Sequence, residues 1–266
     1  MDKQNIFRSC SFHANTGDVV HVLVKDLTDA GFTVSLNDGE GAEEDTYSLT
    51  TTVAPPILPL LDKSGNEYTT VIIGAQEWIV ENFKSTIYAD DTAIPNLTAN
   101  GDWIADVTGA YCWYDNDSVT YKEPYGALYN WYAVNNAHGL ACLERGGVLE
   151  AGWRIPTDID WQTLVDFVGD NPTAGGILKE TGITHWTTPN TGATDGYGFT
   201  AVPSGERNGA TGAFSVIYNF VSYWTSDAVD ANYSWADQMF YNSIIVQHET
   251  GYKKSGGSVR LVRDIV

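Results

Sequence analysis

The sequence predicts an α+β fold in which short antiparallel strands and long loops carry two helices, behind a small all-β N-terminal piece. Three observations lead there. A capped helix is legible between Asp158 and Val168. The composition, with 15 Tyr, 9 Trp and 26 Gly, suits loop-rich β structure better than a helical bundle. From Gly175 onward the chain runs in short apolar alternations separated by Gly, Thr and Asn.

Taken in order, Val20–Val24 and Gly31–Leu36 alternate apolar and polar residues like a hairpin or meander, and Tyr47–Val53 reads as a further strand. Pro55, Pro56 and Pro59 then stiffen the chain, so residues 1–54 are expected to form a β-rich anchor, 55–61 a linker and 62–266 the main domain. Leu61–Tyr68 makes a strand-turn-strand start, and Thr69–Gly74 with Gln76–Ile79 a hairpin bent at Gly74-Ala75. Asn82–Ile94 reads as loop, and Ala110–Tyr114 as a strand. A helix is expected from Pro124 to Gly139, with Leu128, Trp131, Tyr132 and Asn135 along one face. The other begins at Asp158. Thr157 and Asp160 form a capping box, Trp161, Leu164, Val165 and Val168 recur on one buried face, and Gly169 closes the helix.

The charge balance excludes some functions. With 34 Asp plus Glu against 14 Lys plus Arg the formal charge is −20, which repels nucleic acid and anionic membranes. No apolar run reaches spanning length, and Met1–Asn5 lacks the basic and apolar regions of a leader. Neither nucleic-acid binding nor membrane insertion is expected. Cys10, Cys112 and Cys142 match no zinc spacing; Cys112 and Cys142 either bridge in an oxidising compartment or, as is commoner, stay free and buried.

Six ordered motifs carry a resemblance: Ile73-Gly74-Ala75-Gln76-Glu77-Trp78 with Glu81-Asn82-Phe83, Tyr125–Ala133, Gly152–Thr157 with Asp160-Trp161, Gly198–Arg207, Tyr223–Ser226 and Gly257–Asp264. Together they resemble the Fibrobacter succinogenes major paralogous domain family, from about Asp62 to the C-terminus. The resemblance implies a C-type-lectin-like fold of two helices and a looping antiparallel sheet, similar to formylglycine-generating enzymes and to variable proteins of diversity-generating retroelements. It implies fold more firmly than activity. Leu261 stands where the closing motif often carries Cys, which excludes a disulfide there.

For catalysis, His13, His21, His138, His185 and His248 fall in no His-Glu-x-x-His, nucleophile-elbow, P-loop or dinucleotide pattern. A copper site of the formylglycine type would need a late cysteine pair, and the last cysteine is Cys142. The expectation is a protein that is not an enzyme and has no cofactor. Calcium is the one metal left open, because hard cations need several oxygen ligands and the chain is oxygen-rich, although the Asp115-Asn116-Asp117-Ser118 start of a calcium loop fails at Val119, Thr120 and Gly126. Asp90, Asp91 and Asp195 read as turn carboxylates. Arg154, Arg207, Arg260 and Arg263 read as structural ties.

Binding is expected on the C-terminal loops, at Asn208, Tyr218, Asn219, Asp230, Asn232, Tyr233, Trp235, Asp237, Tyr241 and Asn242. These mix flat aromatic faces with directional amides and carboxylates, as sugar and peptide sites do. In the variable proteins the corresponding segment is the ligand face. Trp224 reads as core, while Tyr233 and Tyr241 stand equally as core or contact. The expected function is recognition or display of a host-surface glycan or protein, with residues 1–54 docking to other virion or surface proteins in a homo-oligomer such as a trimer. The expected setting is the virion surface of a phage of gut-type bacteria, as a head fibre or capsid decoration, or alternatively a bacterial surface or secretion. A purely structural virion protein docked through its N-terminal piece is the second reading, and a formylglycine-generating-type enzyme the third.

Overall fold

The computed structural model describes residues 58–169 and 172–265, and the backbone of two strands, β1 (Arg8–His13) and β2 (Val19–Val24). The chain divides into two compact units, Met1–Ile57 and Leu58–Val266. In the first, β1 and β2 pair antiparallel with Cys10 opposite Val22 and Phe12 opposite Val20. Val20–Val24, a strand by sequence, lies in strand β2, and its described partner is the upstream β1. Residues 31–36, 47–53 and 54–57 lie outside the described residues.

The second unit opens with β3 (Leu60–Asp62) and β4 (Glu67–Tyr68), the strand-turn-strand start expected at Leu61–Tyr68, with Leu60, assigned to the linker by sequence, already strand. The hairpin β5 (Thr70–Ile73) and β6 (Gln76–Ile79) follows, with left-handed Gly74 at its bend. Next come α1 (Asn100–Ala105), β7 (Tyr111–Cys112), α2 (Ser118–Tyr121), β8 (Leu128–Tyr129), α3 (Trp131–Val134), β9 (Leu143–Arg145) and β10 (Val148–Leu149). Then follow α4 (Asp158–Val168), α5 (Ala174–Leu178), β11 (Glu206–Arg207) and β12 (Phe214–Ser215). The chain ends with β13 (Phe220–Ala228), β14 (Tyr233–Phe240), β15 (Gln247–Tyr252) and β16 (Val262–Asp264).

These strands make five small antiparallel sheets, ordered β10-β9-β3-β4, β16-β6-β5, β7-β8, β11-β12 and β13-β14-β15. The two-helix α+β expectation of a C-type-lectin-like fold is therefore corrected. The described helices are short, and only α4, at 11 residues, exceeds two turns. Its capping box and its buried Trp161, Leu164, Val165 and Val168 match the sequence reading. The other predicted helix does not form. Gly126 is left-handed, and a Cβ there would stand 2.6 Å from Asn82 Cβ, so the chain passes too close to its neighbour to coil. Leu128 and Tyr129 are drawn into strand β8 instead. Asn130 then caps the four-residue α3, accepting from Ala133 N while also bonding Ala110 N and Asp106.

Residues 256–262 tie the small sheets together. Gly256 N donates to Arg207 O (2.8 Å), Gly257 N to Tyr129 O (3.0 Å) and Ser258 N to Ser222 O (2.8 Å). Phe83 N donates to Val259 O (2.8 Å), Ile79 N to Leu261 O (3.0 Å) and Arg154 N to Val262 O (2.9 Å). Four of the five sheets, all but β10-β9-β3-β4, are thus joined through one shared segment. Val259 and Leu261 enter a core built around Tyr129, Trp131, Trp153 and Trp224, and Val262 enters a second core of Trp78, Trp161, Trp186 and Phe199.

The arginines act within this framework. Arg260 is fully buried and donates to Asn82 Oδ1 and to the carbonyls of Ile79, Phe199 and Thr200, at 2.9–3.0 Å, with its guanidinium over Phe199. Arg207, equally buried, holds the carbonyls of Gly212, Leu97 and Thr98. Arg154 instead grips Asp160 through two bonds, and Arg263 pairs with Glu77 and Glu150. Cys112 and Cys142 are free and buried. Burial pushes the Cys112 thiol up to about 12, which leaves it unreactive.

Candidate functional site

The tip of the β13-β14-β15 sheet is held rigidly from below. The register of β13 and β14 shifts between Trp224 and Ala228, a bulge that re-aims the strands before their turn. Asp230 Oδ1 accepts from Asn232 N (2.7 Å) and Tyr233 N (2.8 Å), and Lys253 Nζ, lying over Trp131 at 4.2 Å, donates to Asp230 O (2.6 Å). Opposite this turn, the loop after β11 is closed by Asn208 Oδ1 accepting from Ala210 N (2.9 Å) and Thr211 N (3.0 Å). Gly209 lies against Ser255, where a Cβ would stand 2.5 Å from the backbone nitrogen.

Between turn and loop lies an open cleft of about 550 Å³, lined by Asn208, Gly209, Ala210, Asn232, Tyr233, Tyr252 and Ser255. Tyr233 and Tyr252 face each other across β14 and β15, with ring centroids 5.8 Å apart. Tyr233 is 42% exposed and Tyr252 half-buried, so both present ring surface beside amide and hydroxyl groups.

The ten residues singled out from sequence fall in three places. Asn208, Asn232 and Tyr233 line the cleft, and Asp230 braces the turn under it. Tyr218, Asn219, Tyr241 and Asn242 sit at the far end of the hairpin, where Tyr241 N donates to Asn219 O. There the Lys179 ammonium, drawn down to about 8 by burial, is held by the carbonyls of Thr191, Phe240 and Ser243. Tyr218 rests edge-on against Tyr125, and Tyr241 packs on the second core. Trp235 stacks on His248 at 4.4 Å, and Asp237 is buried beside the same histidine, lining a smaller cavity of about 170 Å³. Trp224 is core, as the sequence reading has it.

Sequence reasoning missed Tyr252 and Ser255. Tyr252 is placed by its cross-strand pairing with Tyr233, and strand β15, Gln-His-Glu-Thr-Gly-Tyr, carries no apolar alternation that would reveal it. Asp90 and Asp195 act as turn acceptors for Thr92 and Thr200, and Asp117 caps α2. Among the described residues no three His, Cys, Asp or Glu side chains come together as a metal-ion set, and no helix is long and apolar enough to cross a membrane.

The architecture is a domain of small β-sheets gathered by one C-terminal segment, with an aromatic cleft at the tip of its longest hairpin. The pattern of the Fibrobacter succinogenes major domain matches residues 71–263, from β5 to β16, and the chain belongs to that family. No curated protein and no solved structure matches the chain.

Proposed function

We propose that the second unit is a non-enzymatic recognition module whose Tyr233–Tyr252 cleft holds a saccharide of a host surface. The observation that carries this reading is the pair of tyrosine rings, Tyr233 exposed and Tyr252 half-buried, beside Asn208, Asn232 and Ser255 in an open cleft. Such rings stack on the apolar faces of sugar rings, while amides and hydroxyls fixed on braced loops select hydroxyl orientation. The formal charge of −20 disfavours anionic ligands, so the saccharide is neutral or amino-bearing. Display on a virion or bacterial surface, docking through residues 1–54 and assembly into a trimer complete the proposal; a surface is where a host saccharide is met.

The test is binding of the labelled full chain to gut-type bacterial cells and a glycan array, with and without EDTA, beside Tyr233→Ala and Tyr252→Ala. Saturable, EDTA-insensitive binding lost in both variants supports the cleft. Binding unchanged in both variants places the ligand elsewhere, and no binding by the native chain leaves a structural display protein.

A further inference from the structure

The smaller cavity has a different chemistry from the cleft. It lies between the start of α4 and the β14–β15 pair, with aliphatic walls from Ile159, Val165 and Val246 and polar groups from Asp158, Asp237 and His248. Asp237 is only 3% exposed. Its Oδ1 lies 3.4 Å from His248 Nδ1, but its Oδ2 has no hydrogen-bond partner in the protein. Asp158 Oδ1 also lacks a hydrogen bond of good geometry, although the Thr225 hydroxyl acts on this carboxyl, and Asp158 Oδ2 is 3.9 Å from His248 Nε2. A buried carboxylate oxygen without a donor costs free energy, and such groups rarely persist without a use.

The positive end of α4 does not turn this into an anion site. The Asp158 N–H already donates to Asp227 Oδ2 at 2.8 Å, so a further carboxylate sits at the helix start. His248, clamped flat against Trp235, is a single imidazole between two carboxylates, with Glu249 adjacent in the chain. The cavity is therefore acidic even with His248 protonated.

We propose that this cavity is a binding site for an alkylammonium group, such as the end of a lysine side chain or a free aliphatic amine. The ammonium supplies N–H donors for Asp237 Oδ2 and Asp158 Oδ1, and its methylene stem lies against Ile159, Val165 and Val246. A volume of about 170 Å³ admits a narrow chain, and the aliphatic walls suit methylenes better than a ring of hydroxyls. Ile159, 77% exposed, and the half-exposed His248 form the entrance. The site is separate from the tyrosine cleft and does not depend on its role.

The experiment is a titration of the full chain with n-butylammonium chloride, followed by NMR of the His248 imidazole and the Ile159 methyl groups, with n-butanol as the uncharged control. The expected result is saturable shifts with butylammonium alone. The His248 pKa should fall as the second cation competes for the carboxylates that face it. Asp237→Asn should weaken butylammonium binding at least tenfold without lowering the thermal midpoint, because the amide removes a buried charge. Tyr233→Ala should leave it unchanged. Equal response to butanol, an unmoved His248 pKa, or full affinity in a folded Asp237→Asn protein would overturn the proposal. Should Asp237→Asn fail to fold, the native protein's His248 titration decides. Comparing a lysine-containing peptide with putrescine then tells a protein partner from a free polyamine, the tighter of the two naming the source.

Discussion

The seam at residues 256–262 and the tip of the longest hairpin draw on the same residue types and put them to different use. At the seam, Arg260 is wholly enclosed and its guanidinium donates to five oxygens, three of them backbone carbonyls. Among the described residues no carboxylate pairs with it; the carbonyl dipoles offset its charge, which makes the arginine part of the backbone scaffold. At the tip, tyrosines and amides stay at the surface, and just behind it the Asp237 carboxylate keeps an oxygen with no donor in the protein. Polar groups at the seam are satisfied internally, while those at the tip leave capacity for something outside. Burial alone therefore does not tell the two regions apart.

That contrast can be broken by substitution. Arg260→Ala should have the largest effect, since several buried carbonyls lose their donor at about 1–3 kcal/mol each. A loss of about 4 kcal/mol or more in urea unfolding is expected, and a loss under 1 kcal/mol would refute the seam as the organising tie. Asp160→Asn should cost about 2 kcal/mol at neutral pH, by removing the charged partner of Arg154. Burial alone would raise the Asp160 carboxyl, but the Arg154 guanidinium and the Thr157 N–H and hydroxyl outweigh it and hold it below its ordinary value. A depressed carboxylate contributes stability above its unfolded pKa of about 4 and loses it as pH falls through the lower folded value. The difference between native and Asp160→Asn proteins should accordingly shrink below about pH 4 in acid titrations followed by circular dichroism. Thr157→Ala should cost about 1 kcal/mol, the ordinary value of a lost cap. At the tip, Tyr233→Ala should change stability by no more than about 0.5 kcal/mol, as exposed positions do. Its saccharide affinity should nonetheless fall about tenfold or more.

What the sequence disclosed follows the same division. Helix α4 was legible at both ends because its signals are local: Thr157 and Asp160 cap it and Gly169 ends it. The Tyr125–Asn135 stretch shows an equally helical spacing, yet its fate is set by contacts distant in sequence, with Asn82 at Gly126 and Gly257 at Tyr129. Periodicity carries no information about such partners, and so the two-helix fold expected from it gave way to small sheets. The site divides likewise. Asn232 and Tyr233 stand out in a loop of turn-forming residues, whereas Tyr252 belongs to the cleft only through strand register. Asp237 was singled out as a contact residue, but nothing in its neighbours reveals that it would be buried against His248 and the start of α4.

Residues 256–262 are made late. A ribosome building this domain will have released β5 and β6, α4 and most of the β13-β14-β15 sheet before the segment that joins them leaves the exit tunnel. Until then the early hairpins have exposed edges and no partner for Ile79, Phe83 or Arg154. Completion of the domain consequently waits on contacts of long sequence separation, slow by topology and vulnerable to premature termination. A nascent chain cut short at Ser255 would retain every residue of the tyrosine cleft and lack the means to hold it in place.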